Sequence, residues 1–403
     1  MDGRSTGGPG RGARGRLLAA VALLGMARAA AAQVGDAELV LGMVGPFSGP
    51  AKELGHHVRT GLEVAFAAVN DAGGVHRRKL RLIALDDGLE PSRTLPAMKE
   101  LVELRKVFAV VGNVGTPGAA VAVPYANEKG VLFFGAVSGA SFLRQRPPDR
   151  YVFNVRASYA EETAATVRHL VDVKRIRPER IAVFAQDDAF GAAGFEGVAR
   201  AMRQYGRDPA RVLRVQYRRN TTDVDEAVKA VAAHARDLGA VVLIATYKPA
   251  TRFIEKLHDA GIHHLVFTNV SDVGPNELGD ELSQLGPGYA DGVIVTQVVP
   301  LPTSGATPVL RYREQLRRYA PGEKPGFLSL EAWLSAQVLI EGLQRAGREL
   351  TTDRLVTALE SIHALDLGIG TPLGFGPSEH QASHLVWGTV LDAKGVAQLL
   401  ALE

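Results

Sequence analysis

The chain alternates short apolar runs with longer amphipathic segments, a pattern that predicts strands and helices in turn. In residues 107–141, the apolar runs Val107–Val111 and Val131–Phe134 flank a helical segment that opens at Thr116 and ends near Lys129. Continuous apolar runs of this length suit strands that are buried on both faces of a sheet. Each run ends in a loop rich in Gly, Ser and Thr, where the backbone can approach a ligand closely.

The same alternation extends over most of the chain. Upstream it predicts strands at 39–44 and 80–85 and helices at 53–70 and 91–104. A second run predicts strands at 151–155, 180–185, 211–216, 240–245, 264–269 and 292–298, with helices at 161–173, 191–205, 223–238 and 249–260. Alternating strands and helices form parallel sheets with helices on both faces. The predicted fold class is therefore α/β, with two doubly wound, Rossmann-like lobes.

The last part of the chain does not have the pattern of a third domain. It predicts helices at 308–319, 328–346 and 352–362 and a final strand at 385–391, parts of which would return to complete the first lobe. Chain crossings between two lobes would form a hinge.

The two small-residue loops of residues 107–141 predict a binding edge. Ligands of open parallel sheets bind outside the carboxyl ends of the strands, so Thr116 and Ser138 should lie on the same edge. Thr116 also begins a helix, whose free N–H groups and partial positive charge suit a carboxylate. The alternative is that small residues here simply let helix and strand pack closely.

The N-terminal sequence and the composition indicate export and exclude some classes of function. The first 32 residues combine arginines with the apolar run Leu17–Ala27 and an A-x-A site, which predicts a secretory signal peptide (1–32) cleaved near Ala32 and export of the protein. Five of the 46 basic and one of the 43 acidic residues lie in that segment, so the remainder has a formal charge of about −1. This balance does not indicate nucleic-acid binding, and the absence of cysteine excludes disulfides and thiolate chemistry.

The motifs of common enzymes are absent from the sequence. It contains no G-x-G-x-x-G, no G-x-x-x-x-G-K-[ST] and no G-x-S-x-G. His380 and His384 have the i, i+4 spacing of metal ligands, but they precede a strand rather than lie on a helix, and a surface turn explains them better. We therefore expect no enzyme activity, no cofactor and no metal.

A set of short motifs gives the chain a family resemblance. The motifs are GPFSGP at 45–50, NDAGGV at 70–75, VVGNVGTPG at 110–118, VLFFGAVSGASF at 131–142, FNVRASYAEE at 153–162, QDDAFG at 186–191 and TYKPATRFIEKLHDAG at 246–261. In this order and spacing the chain resembles the type I periplasmic binding proteins, in particular the leucine/isoleucine/valine-binding family that supplies ABC importers. The resemblance covers nearly all of residues 36–403.

The resemblance implies two lobes that close on a small ligand by a hinge. It implies three crossovers near 150–156, 298–302 and 366–371, with lobe 1 at 36–153 plus 300–366 and lobe 2 at 154–299 plus 367–403. It also implies the ligand-binding residues Leu54, Thr116, Val137, Ser138, Gly139, Phe190, Tyr247 and Asp272. An inner-membrane ABC permease would be the partner of a monomeric binding protein.

Departures from the family pattern bear on the ligand. The family's amino-acid binders place an acidic residue after the strand that here ends at Asn269, whereas this chain continues Val270–Ser271–Asp272, and Gly139 stands where a Thr is expected. The carboxylate half of the site is thus better preserved than the ammonium half. We therefore hypothesise that the ligand is an organic acid rather than a free amino acid.

Two other classes of function remain open at this point. The fold also serves soluble periplasmic sensors that deliver a ligand signal to a membrane receptor. An exported α/β hydrolase is the third class, and it lacks a recognisable catalytic set in this sequence.

Overall fold

The structure is a computed structural model that describes residues 1–4 and 35–403. The predicted signal peptide and its cleavage site therefore lie almost wholly outside the described residues. Among the helices of residues 1–4 and 35–403, none has both the length and the apolar character needed to cross a membrane.

The first sheet is parallel throughout and has the strand order β2-β1-β3-β4-β5. Its strands are β1 (Glu38–Gly45), β2 (Lys79–Asp86), β3 (Ala109–Val111), β4 (Leu132–Phe134) and β5 (Val152–Phe153). All residues of β3 and β4 are buried, as their continuous apolar sequence predicts.

The second sheet has the order β12-β11-β10-β9-β8-β6-β7 and is parallel from β7 to β10. Its strands are β6 (Ile181–Gln186), β7 (Arg214–Tyr217), β8 (Ala240–Ile244), β9 (Val266–Asn269), β10 (Ile294–Gln297), β11 (Trp387–Leu391) and β12 (Ala397–Leu400). β11 and β12 join as antiparallel strands at the edge. The two sheets are the cores of two lobes, so the predicted fold class is confirmed.

Helices cover both sheets. They are α1 (Lys52–Asp71), α2 (Pro91–Lys99), α3 (Thr116–Lys129), α4 (Tyr159–Arg168), α5 (Ala189–Gln204), α6 (Asp225–Ala233), α7 (Tyr247–Asp259), α8 (Pro275–Leu285), α9 (Thr307–Tyr319), α10 (Phe327–Ala346) and α11 (Thr352–Glu360). α2 and α4 each continue into a π-helical turn, at Glu100–Leu104 and His169–Val173. α10 packs on α1 so closely that a Cβ on Gly61 would lie 2.1 Å from the carbonyl oxygen of Ser329. The late helices α9–α11 thus belong with the first lobe.

The segment between α11 and β11 contacts the first sheet. The backbone N–H of Ala382 donates to the carbonyl oxygen of Asn154 over 2.8 Å, just beyond β5, and Phe375 packs edge-on against Phe153 at 5.2 Å between ring centroids. The chain joins the second sheet only at Trp387, whereas the resemblance places the third crossover at 366–371. The residue boundaries of the two lobes stay a prediction.

Candidate functional site

The two loops predicted to share a sheet edge lie side by side. Val114 and Val137 form an isolated parallel bridge, and the N–H of Val137 donates to the carbonyl oxygen of Asn113 over 2.8 Å. Gly115 caps α3 with a φ of 103°, in the left-handed region that favours glycine, and Thr116 follows as the first helical residue. The predicted common edge is therefore confirmed.

A cavity lies between this edge and the facing edge of the second sheet. Its walls come from both lobes: Leu54, Leu89, Val114, Gly115, Thr116, Pro117, Val137 and Leu328 from the first, and Gln186, Phe190, Thr246 and Asp272 from the second. Most of these side chains are apolar, with polar groups concentrated on the second lobe and at Thr116. Such a composition is typical of sites for small ligands.

Five of the eight sequence-predicted residues line this cavity, namely Leu54, Thr116, Val137, Phe190 and Asp272. Asp272, three residues after the end of β9 at Asn269, is 8% exposed and lines the cavity wall. The structure thus brings the acidic residue to the site.

The other three predicted residues lie behind or beside the wall. Ser138 is fully buried, and its Oγ is 2.8 Å from Oγ1 of Thr116. A Cβ on Gly139 would lie 2.3 Å from the backbone nitrogen of Tyr159, so a threonine is excluded there by steric conflict. Tyr247 donates its hydroxyl to the carbonyl oxygen of Pro50 over 2.7 Å, which links the two lobes.

Hydroxyl groups connect the cavity wall to Asp272. Oγ1 of Thr116 is 3.2 Å from the hydroxyl of Tyr159, and that hydroxyl donates to Oδ2 of Asp272. Burial, followed by the negative charge of Asp272, raises the pKa of Tyr159 well above its usual value. Tyr159 therefore remains a neutral donor behind the wall, and its hydroxyl connects Thr116 and Asp272 into one polar end of the cavity.

A cluster of buried charges lies behind this polar end. Arg156 has a side-chain exposure of 1%; it donates to Oδ1 of Asp272 and to Oγ of Ser271, and its Nη2 is 3.2 Å from Oε1 of Glu162. Its Nη1 is 3.5 Å from Oε1 of Glu331 on α10. One guanidinium thus joins carboxylates from both lobes.

The carboxyl groups of Glu162 and Glu331 in this cluster differ in their hydrogen-bond donors. Glu162 accepts hydrogen bonds from Oγ1 of Thr296 (2.7 Å) and from the backbone N–H and hydroxyl of Ser271 (2.9 and 3.0 Å). For Glu331, burial raises the pKa to about 7, and the attraction of Arg156 only partly opposes this shift. The cluster therefore contains one carboxyl group that gains a proton near neutral pH.

The capping of α4 fixes the position of Tyr159 and Glu162. Ser158 and Glu161 form a capping box, in which the Ser158 hydroxyl accepts from the N–H of Glu161 over 3.2 Å and the Glu161 carboxylate accepts from the N–H of Ser158 over 2.6 Å. Because the helix starts at Tyr159, residues 159 and 162 fall on one face and point towards Asp272 and Arg156.

Further contacts bridge the lobes at the mouth of the cleft. Glu90 of the first lobe accepts from Arg219 over 2.9 Å and from the amide of Asn220 over 2.6 Å. On the other side, His57 on α1 and Glu277 on α8 lie 2.6 Å apart. The structure therefore represents an arrangement in which the two lobes touch around the cavity.

Sequence reasoning missed Arg156, Tyr159, Glu162 and Glu331. The first three lie within the motif FNVRASYAEE, which was used for the resemblance but not for the site. A charged residue between a buried strand and a helix start was the available signal for Arg156. Glu331 lies in an apolar helix more than a hundred residues from its partners, and its role depends on tertiary contacts.

The surface turn predicted for His380 and His384 is wrong for His380, which is buried because it packs against β5 and stacks on Phe153 at 3.7 Å between ring centroids. His384 is exposed and pairs with Glu161 at 2.6 Å. Among the described residues, His56, His57 and Glu323 form a group whose donor atoms lie within 4.8 Å of one another. This group is partly exposed and lies apart from the cavity wall.

Comparison with known proteins agrees with this geometry. The chain is similar to the Leu/Ile/Val-binding protein homolog 3 of Brucella melitensis, with 24% identity over 83% of this chain and 86% of that protein. It superposes on the crystal structure of a possible leucine/isoleucine/valine-binding protein from Rhodopirellula baltica with a TM-score of 0.86 and 38% identity, covering 92% of this chain and 98% of that one. A fatty acid ABC transporter substrate-binding protein from Thermomonospora curvata shares the fold, with a TM-score of 0.79 and 18% identity over 91% and 92% of the two chains.

The family assignment follows from the extent of one further match. Residues 38–396 match the family described as periplasmic binding protein, which covers both lobes and every residue of the cavity wall. The named relatives are binding proteins rather than enzymes. This chain belongs to the periplasmic binding protein family, with the leucine/isoleucine/valine-binding type of fold.

Proposed function

We propose that this protein is the periplasmic solute-binding component of an ABC importer, which captures a small organic acid or amino-acid-like ligand by hinge closure. The observation that carries the proposal is the cavity between the lobes, with apolar walls and one polar end formed by Thr116 and Asp272, which the buried Tyr159 hydroxyl connects. The ligand's apolar part would contact Leu54, Val137 and Phe190.

Closure is the functional step in this proposal. A ligand that contacts both lobes stabilises the closed state by its differential affinity for that state. The contacts of Glu90 with Arg219 and Asn220 and of Tyr247 with Pro50 form only when the lobes meet, so they add to the same equilibrium. A permease in the inner membrane would then recognise the closed form.

The charge of the ligand is inferred from the polar end of the cavity. The N-terminus of α3 at Thr116 favours a carboxylate at the polar end. The relatives' names include both amino acids and a fatty acid, so the fold accommodates ligands with and without an ammonium group.

A thermal-shift screen tests the proposal. The purified protein is unfolded and refolded to remove carried-over ligand, then heated with free amino acids and with aliphatic, aromatic and dicarboxylic acids. A ligand at about one hundred times its Kd adds about 2.7 kcal/mol to the free energy of unfolding, which shifts Tm by several degrees. If no compound of either class shifts Tm, the proposal fails.

A second measurement separates import from sensing. The liganded protein should stimulate ATP hydrolysis by the ABC transporter with which it works, reconstituted in liposomes. A ligand-binding protein that leaves this hydrolysis unchanged would favour the soluble sensor instead. Light scattering of the same sample tests the expected monomer.

A further inference from the structure

Asp272 is the carboxylate of the cavity wall, and both of its oxygens already have partners. Oδ1 accepts from the guanidinium of Arg156, and Oδ2 accepts from the hydroxyl of Tyr159. A ligand ammonium in this cleft would have to share Asp272 with a full positive charge held in direct contact with it. The ligand ammonium and the Arg156 guanidinium would both contact Asp272, and the repulsion between two cations that close together is strong in a site that excludes water.

The charges behind the wall balance without a ligand cation. Asp272 and Glu162 face Arg156, and Arg144 lies next to them because it donates to the carbonyl oxygen of Arg156 over 3.1 Å. Glu331, whose pKa is raised to about 7 by burial, is largely protonated below that pH. Two buried arginines therefore already lie beside the buried carboxylates, and an added ammonium would be a third cation there.

A ligand carboxylate at the same polar end would meet a different environment. Thr116 begins α3, whose N-terminal partial positive charge compensates a carboxylate without any side-chain cation. The cleft can therefore stabilise a ligand carboxylate at the N-terminus of α3. Its own carboxylate, Asp272, is already neutralised by Arg156 and is not free to stabilise a ligand ammonium.

We propose that Arg156 determines the charge class of the ligand: by neutralising Asp272 it makes the cleft select carboxylic acids that lack an α-ammonium group. This inference rests on the proposed solute-binding function and names the ligand class of the same cleft. Arg156 acts through Asp272 and is therefore a positioning residue. It contributes no atom to the cavity wall.

Matched ligand pairs test the inference. L-Leucine and 4-methylpentanoate share one carbon skeleton and differ by the ammonium group, as do L-phenylalanine and 3-phenylpropanoate. Isothermal titration calorimetry on the refolded protein gives the ratio of Kd values within each pair. We expect the plain acid to bind more tightly by about tenfold or more in at least one pair.

Two variants should move this ratio in opposite directions. Arg156→Met combined with Glu331→Gln removes one cation and one titrating carboxyl group, so Asp272 becomes available and the ratio should shift towards the amino acid by about tenfold. Asp272→Asn leaves the Arg156 charge uncompensated, so the ratio should shift further towards the acid. A merely structural role for Arg156 would weaken both ligands of a pair equally and leave the ratio unchanged.

The matched control is another buried arginine. Arg78 is 7% exposed and donates to the carbonyl oxygens of Gly35 (2.8 Å) and Arg348 (2.9 Å), away from the cleft. Arg78→Met should lower Tm without changing the ligand ratio. If the double variant does not fold, Asp272→Asn and the wild-type ratio still decide the question.

Two other results of these titrations would contradict either the role of Arg156 or the solute-binding function. Tighter binding of the amino acid by the wild type, lost in Asp272→Asn, would overturn the role of Arg156 and leave the solute-binding function intact. Binding of neither member of any pair, together with a negative thermal-shift screen, would overturn the proposed function and this inference with it.

Discussion

The two sides of the cleft are built in different ways. The first-lobe wall presents Leu54, Val114 and Val137, apolar side chains whose packing has little directional requirement. Behind the polar end of the cavity lies the cluster of Arg156, Glu162, Asp272 and Glu331, in which each group is fixed by charged hydrogen bonds or ion pairs.

This difference separates affinity from stability. A buried charge is destabilising when its ion-pair partner is removed, so a substitution within the cluster should destabilise the whole protein. An apolar wall that faces a cavity contributes mainly when a ligand fills it, so damage there should weaken binding. The predictions below test this contrast.

The largest effect is expected from the fully buried glutamate of the cluster. Glu162→Ala would remove the buried acceptor that Arg156, Ser271 and Thr296 share, which should lower the free energy of unfolding by about 3–5 kcal/mol. Urea denaturation of the ligand-free protein measures the loss.

The control removes an exposed glutamate of similar pairing. Glu63 pairs with Arg59 at 2.8 Å with 45% of its side chain exposed, and Glu63→Ala should leave the stability almost unchanged. A loss for Glu162→Ala no larger than for this control would contradict the contrast.

The second prediction concerns pH. Glu331 has a pKa raised from 4.5 to about 7 in the folded state, so the folded protein holds a proton that the unfolded chain releases. The free energy of unfolding should therefore fall as pH rises from about 4.5 to 7, by up to about 1.4 kcal/mol per pH unit, and then level off.

Glu331→Gln provides the comparison for this pH dependence. The variant lacks the titrating group, so the unfolding free energy of the wild type minus that of the variant should fall as pH rises from about 4.5 to 7 and become constant above about 7. Parallel curves for the two proteins between pH 5 and 8 would show that Glu331 does not titrate there.

The third prediction concerns the apolar wall. Leu54 is 4% exposed and lines the cavity, so Leu54→Ala should weaken binding of the tightest ligand from the thermal-shift screen by about tenfold through lost apolar contact. Calorimetric titration measures Kd. Leu104→Ala, at a leucine that is 76% exposed, should bind that ligand as the wild type does.

The smallest effect is expected at the mouth of the cleft. Glu90 pairs with Arg219 at 2.9 Å on a partly exposed surface, so Glu90→Gln should raise Kd by about two- to threefold and reduce its dependence on salt. Glu179→Gln, which breaks the exposed pair with Arg207, should not alter Kd. Equal effects of the two variants would show that the mouth contacts do not support closure.

Most of the fold could be predicted from the sequence because periodicity depends on local burial. Strands such as β3 and β4 are short apolar runs, and α3 begins at Thr116 and ends at Lys129 as predicted. The helix Pro275–Leu285 and the strand β12, which pairs antiparallel with β11, were not among the predicted elements.

The sequence by itself determined the alternating architecture, the family resemblance and the small-residue loops at Thr116 and Ser138, since these follow from short-range patterns. Only the tertiary structure decided which side chains come together in the buried charge cluster. Arg156, Asp272 and Glu331 are separated by long stretches of chain, and their contact depends on how the lobes pack. Directional bonds between distant residues leave no periodic signal, because the pairing of charges is set by geometry in space rather than by spacing along the chain.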